Sequence, residues 1–202
     1  MWSEHVAPVA DAGYRVLAFD LPGFGQAPPG PEQAPWTDVI ETMDALRIEH
    51  AVLIGNSFGG SVALSVAVLA AERVRALMLV SALPPDLEPS AQLSAAWQAE
   101  NAALDRGDIE AAVQAVVDAW TLPNASPRVR ERVASMQRRA FELQSSAELD
   151  GAVEVADPVE QNRAALGRLS IPVLVAAGEL DMPDCRSGAR NWPPSCPQPV
   201  MS

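Results

Sequence analysis

The residues whose order could do chemistry are Gly55-Asn56-Ser57-Phe58-Gly59-Gly60. Gly-x-Ser-x-Gly alone is a common pattern, and its weight comes from its flanks. Ala51-Val52-Leu53-Ile54 before it is a continuous apolar run of strand length, which suits a parallel strand buried on both faces at the centre of a sheet. Val62 to Ala71 after it is apolar nearly all round, as in a helix sandwiched inside a protein. A strand fed into a helix through one tight turn strains the central residue and needs small neighbours, a demand that Gly55, Gly59 and Gly60 fit. Such a turn lifts the Ser57 hydroxyl above the carboxyl end of the sheet and aims the Phe58 N–H at the same place. A nucleophile beside an oxyanion donor is equipment for acyl transfer. The competing reading is a serine that merely caps a helix. A dinucleotide-binding turn fits less well, because neither this segment nor Gly23-Phe24-Gly25 has G-x-G-x-x-G spacing.

The surrounding pattern supplies the elements that must hold this turn. Trp2 to Ala12 reads as a helix stopped by Gly13, and Tyr14 to Phe19 as a strand ending at Asp20. From Trp36, Val39, Ile40, Met43 and Leu46 recur at helical intervals; Arg75 to Val80 is the next strand. Residues 83–156 then read as helices without strands: Ser90 caps one carrying Leu93, Trp97 and Leu104, Asp108 caps another, and Ser126-Pro127 opens a third. Asp157-Pro158-Val159-Glu160 starts a further helix, and Ile171 to Ala177 is a buried strand. Strands alternating with helices predict an α/β fold with a mostly parallel sheet and helices on both faces.

Composition narrows the partners. The 202-residue chain has a formal net charge of −12, which opposes binding to nucleic acid or to anionic membranes. Hydrophobic residues make up 49%, yet no apolar stretch approaches the length of a membrane span. Cys185 and Cys196 read as incidental thiols, and no cofactor or metal is implied. The amino terminus lacks the basic and apolar regions of a signal peptide, so the expected location is cytoplasmic.

With those residues in view, the sequence closely resembles the α/β-hydrolase superfamily. Val16 to Gly25 resembles the family's strand and loop before the nucleophile unit, Gly55 to Gly60 its nucleophile elbow, and Gly178-x-x-Asp181 the segment carrying the catalytic acid. The resemblance implies a core over 1–82, a helical cap over 83–156, a second core part over 157–190 and an irregular tail over 191–202. Within the superfamily it is similar to small esterases, enol-lactone hydrolases and C–C bond hydrolases. A serine, rather than the aspartate of dehalogenases and epoxide hydrolases, implies an acyl-enzyme on Ser57 and a small carboxylic ester or lactone as substrate. Asp181 is the implied acid, with Glu179 and Asp184 as alternatives and a solvated turn residue as the bland one. Trp97, Trp120, Met136 and Phe141 would line the substrate pocket, though packing between cap helices accounts for them equally simply.

The resemblance is incomplete. The family order is serine, acid, histidine, but the only histidines, His5 and His50, both precede Ser57. The His-Gly loop that donates a second oxyanion N–H would lie before Trp2. Helical periodicity stops at Arg190, and a one-nucleotide deletion in the coding DNA would explain the proline-rich tail that follows. The expectation is an impaired hydrolase, with a non-catalytic remnant that binds small apolar ligands as the alternative, and an acyltransferase indistinguishable from a hydrolase. Incomplete cover of the sheet also predicts marginal stability and a tendency to form homo-oligomers.

Overall fold

The computed structural model describes residues 1–149 and 153–193. In chain order the elements are α1 (Ser3–Asp11), β1 (Glu32–Gln33), α2 (Pro35–Ala45), β2 (Ala51–Asn56), α3 (Phe58–Leu69) and β3 (Val74–Val80). Then come α4 (Ala91–Leu104), α5 (Ile109–Trp120), α6 (Pro127–Leu149), β4 (Val153–Glu154), α7 (Pro158–Gln161), α8 (Arg163–Leu166), β5 (Val173–Ala176) and α9 (Pro183–Arg190). β2, β3 and β5 form one parallel sheet in that order, and β1 and β4 form a separate two-stranded parallel pair.

Register explains where the core sits. Leu53 aligns with Leu77 and Leu77 with Val173, so one face of the sheet presents apolar side chains to α2 and α3. Trp36, Val39 and Met43 come from α2, and Val62, Leu64 and Val66 from α3; all are buried there. The opposite row, Ile54, Met78 and Leu174, is less covered: Ile54 is 46% and Leu174 42% exposed, and Val52 reaches 55%. Helices lie on both faces, but unequally.

Two expectations change as a result. Among the described residues β2 is an edge strand with one face largely open, not the centre of a sheet buried on both faces, and β3 holds the central position. Tyr14 to Phe19 forms no strand, because among the described residues no neighbour completes a ladder with it, and Tyr14, Leu17 and Phe19 are exposed. Trp192, in what was expected to be irregular tail, is buried in the main core; the rest of the tail from 194 on lies outside the described residues.

The helices of the 83–156 region form as their caps dictate. The Ser90 hydroxyl accepts from the Leu93 N–H, and the Asp108 carboxylate accepts from the Ala111 N–H. Between them α4, α5 and α6 bury a core of their own around Val113, Val116, Val117 and Phe141.

Candidate active site

The turn between β2 and α3 is strained as its sequence predicts. Ser57 has φ 51 and ψ −120, a left-handed conformation that non-glycine residues seldom adopt. Hydrogen bonds hold it there: its N–H donates to the Val80 carbonyl at 2.9 Å, and its carbonyl accepts from the Gly60 N–H at 2.8 Å. Two glycines are sterically required. A Cβ at Gly55 would stand 2.2 Å from the Gly59 carbonyl oxygen, and one at Gly60 would stand 2.6 Å from the Ala82 methyl. Gly59 differs from the expectation, since a Cβ there meets nothing within 4 Å; its part in the pattern is the close approach of its backbone to Gly55.

Ser57 is exposed, and its hydroxyl makes no capping bond to α3, so the helix-cap reading of this serine is set aside. Phe58 is the first residue of α3, where a backbone N–H has no intrahelical acceptor and the helix dipole favours negative charge. The Phe58 ring lies 5.9 Å from that of Phe24, whose loop thereby flanks the turn. The cap region reaches the same loop: on α6, Gln144 Nε2 donates to the Gly23 carbonyl and Arg139 Nε to the Gly25 carbonyl.

Asp181 lies just beyond the carboxyl end of β5. Its Oδ1 accepts from the Met182 N–H at 2.9 Å, and its Oδ2 accepts from the Ser81 hydroxyl at 2.5 Å. β3 separates β2 from β5, and Ser57 and Asp181 follow the carboxyl ends of those two strands, at one end of the sheet. The alternatives for the acid are placed otherwise. Asp184 is 4% exposed and spends both oxygens on Ser90, accepting from its N–H and its hydroxyl; Glu179 is exposed.

His50 is not at this end. It precedes β2 at the sheet's amino end, within 3.0 Å of the Glu72 carbonyl oxygen, and lines a 450 Å³ cleft with Asp44, Arg47 and Arg73. His5 is on α1, edge-on to Trp2. Of the four residues expected to line a pocket, Phe141 is corrected: it is 3% exposed inside the helical region's own core, where the spacing of apolar residues on α5 and α6 places it. Trp97, Trp120 and Met136 are each more than a third exposed. Cys185 is buried against the Ser81 carbonyl; burial first, then the charges of Asp181 and Asp184, push its thiol up to about 11. Among the described residues no cluster of His, Cys, Asp or Glu could hold a metal ion.

Sequence reasoning did not single out Ser81 or Phe24. Ser81 has φ 50, and no residue type in Val80-Ser81-Ala82 announces that conformation.

Comparison with known proteins agrees with this architecture. The profile of the alpha/beta hydrolase fold matches residues 1–200. The chain belongs to the α/β-hydrolase family. Among curated relatives of this hydrolase-family chain, a 2-hydroxymuconate semialdehyde hydrolase from a Pseudomonas species is 39% identical over 97 residues. That match takes in 46% of this chain and 34% of the relative, so the chain spans about a third of its length. Among solved structures, a hydrolase from Pseudomonas aeruginosa superposes with a TM-score of 0.68 at 28% identity, covering 94% of this chain and 71% of that one. The enol-lactonase from Burkholderia xenovorans gives 0.66 at 24% identity over 94% and 73%, a likeness of fold alone.

Proposed function

We propose that this α/β-hydrolase chain carries a serine hydrolase site acting on small carboxylic esters or lactones, with Ser57 as nucleophile, the Phe58 N–H as an oxyanion donor and Asp181 as the acid. The observation that carries the proposal is the strained backbone at Ser57, which holds an exposed hydroxyl, unspent on capping, over the amino terminus of α3. Attack of its oxygen on the substrate carbonyl forms a C–O bond, and charge moves to the carbonyl oxygen, toward the Phe58 N–H. Collapse expels the alkoxide, which takes up a proton, and water then releases the acid from Ser57. The similarity to a 2-hydroxymuconate semialdehyde hydrolase supports hydrolysis of a small carbonyl compound.

His50 lies at the other end of β2, and on this reading the Ser57 proton passes to solvent. Labelling with a fluorophosphonate tests the reading directly. Ser57 should be modified, peptide mapping should locate the adduct there, and Ser57→Ala should abolish it. The rate should climb with pH without the plateau near neutrality that a histidine base gives. A wild-type chain that resists labelling at every pH would favour a non-catalytic scaffold.

A further inference from the structure

Arg47, Ser57 and Ser81 have positive φ without being glycine. Two of them stand at equivalent places on adjacent parallel strands: Ser57 follows Asn56 and Ser81 follows Val80, residues paired in register. Backbone strain persists only where surroundings over-determine it, and Ser81 is held from three sides. Its N–H donates to the Ala176 carbonyl at 2.7 Å, its carbonyl accepts from Cys185 Sγ at 3.5 Å, and its hydroxyl donates to Asp181 Oδ2 at 2.5 Å. The chain after it is pinned as well, because Gly60 of α3 closes on Ala82 and Gly188 of α9 closes on Pro84.

From this geometry we infer that Ser81 is a positioning residue that fixes the carboxylate of Asp181 for an imidazole lying between Asp181 and Ser57, an inference resting on the function proposed above. A carboxylate has about four lone-pair directions. The Met182 N–H takes one on Oδ1 and the Ser81 hydroxyl one on Oδ2, which sets the plane of the group and leaves acceptor capacity on each oxygen for an imidazole N–H. Ordinary φ would swing the Ser81 side chain off this line; the left-handed turn brings it to Asp181. Cys185, a neutral thiol at ordinary pH, supports the turn without adding a second negative charge beside the acid.

Imidazole added to solution supplies the bridging group and makes the inference testable on the chain as it stands. The measurement is how far imidazole accelerates fluorophosphonate labelling of Ser57, in wild type and variants whose circular dichroism matches it. Ser81→Gly removes the hydroxyl while suiting the left-handed backbone. It should cut the imidazole-dependent acceleration about tenfold, the effect of one charge-assisted hydrogen bond. Ser81→Asn, which tolerates the same φ and restores a donor, should recover it to within about threefold. In an Asp181→Asn background the glycine substitution should add nothing further, as expected of residues acting as one unit. A bare structural role would weaken the fold without this dependence on Asp181. Full acceleration in Ser81→Gly, or labelling of wild-type Ser57 that imidazole never accelerates, would overturn the role of Ser81 and leave Ser57 standing as nucleophile. Failure to label Ser57 at all would overturn both readings.

Discussion

At the scale of single residues, the turn at Ser57 is governed by backbone distances that no side-chain rearrangement relieves. Gly55→Ala would place a carbon 2.2 Å from the Gly59 carbonyl oxygen, so it should cost about 3 kcal/mol or more, or prevent folding. Gly59→Ala meets open space and should be neutral or slightly stabilising, which urea titration of the two variants side by side will show. Cys185 gives a pH signature. Its thiol is pushed up to about 11 in the fold against an ordinary 9.0, so on unfolding it releases its proton more readily. Stability from this group is therefore fully present below about pH 9 and is lost as pH rises toward 11. A Cys196→Ser variant isolates the residue: a disulfide reagent at pH 8 should react slowly with the native chain and fast in denaturant. The Gly-x-Ser-x-Gly turn and the position of Asp181 beyond a strand were legible in sequence because strand, turn and helix are contiguous there. Ser81 was not, since its partner is 100 residues away and its φ has no residue-type signal.

Between elements, buried polar ties join the two parts of the molecule. Asp184 on α9 accepts from both the N–H and the hydroxyl of Ser90, the residue that caps α4, while Leu93 of α4 packs on Met182 and Cys185. Asp184→Ala leaves that half-buried N–H without its acceptor and should cost about 1 to 3 kcal/mol, read from denaturant midpoints; Ser90→Ala should cost less. Ser65 of α3, wholly buried, donates to Asp157 Oδ1 at 2.7 Å, the carboxylate that also caps α7. These helix starts were readable, because Ser90, Asp108 and Asp157 act on amides two or three residues ahead. Tyr14 to Phe19 misled for a corresponding reason: alternation and β-propensity report a tendency, whereas a strand exists only when a neighbour accepts its hydrogen bonds.

For the whole molecule, the uneven cover of the sheet has a consequence in solution. Val52, Ile54 and Leu174 are exposed on one face, and β2 presents a free edge among the described residues. The chain should self-associate as its concentration is raised, and Ile54→Lys should shift light-scattering mass toward the monomer with little loss of stability, its side chain being 46% exposed. No helix among the described residues is long and apolar enough to cross a membrane. The sequence by itself determined what neighbouring residues can enforce: the elbow, the helix caps and the apolar strands. Tertiary structure alone decided which strand is central, that Phe141 serves the core of the helical region, and that Ser81 meets Asp181. The division follows from physics, since propensity and capping act over a few residues of chain, while pairing, burial and hydrogen bonds across the sheet depend on which distant segments come together.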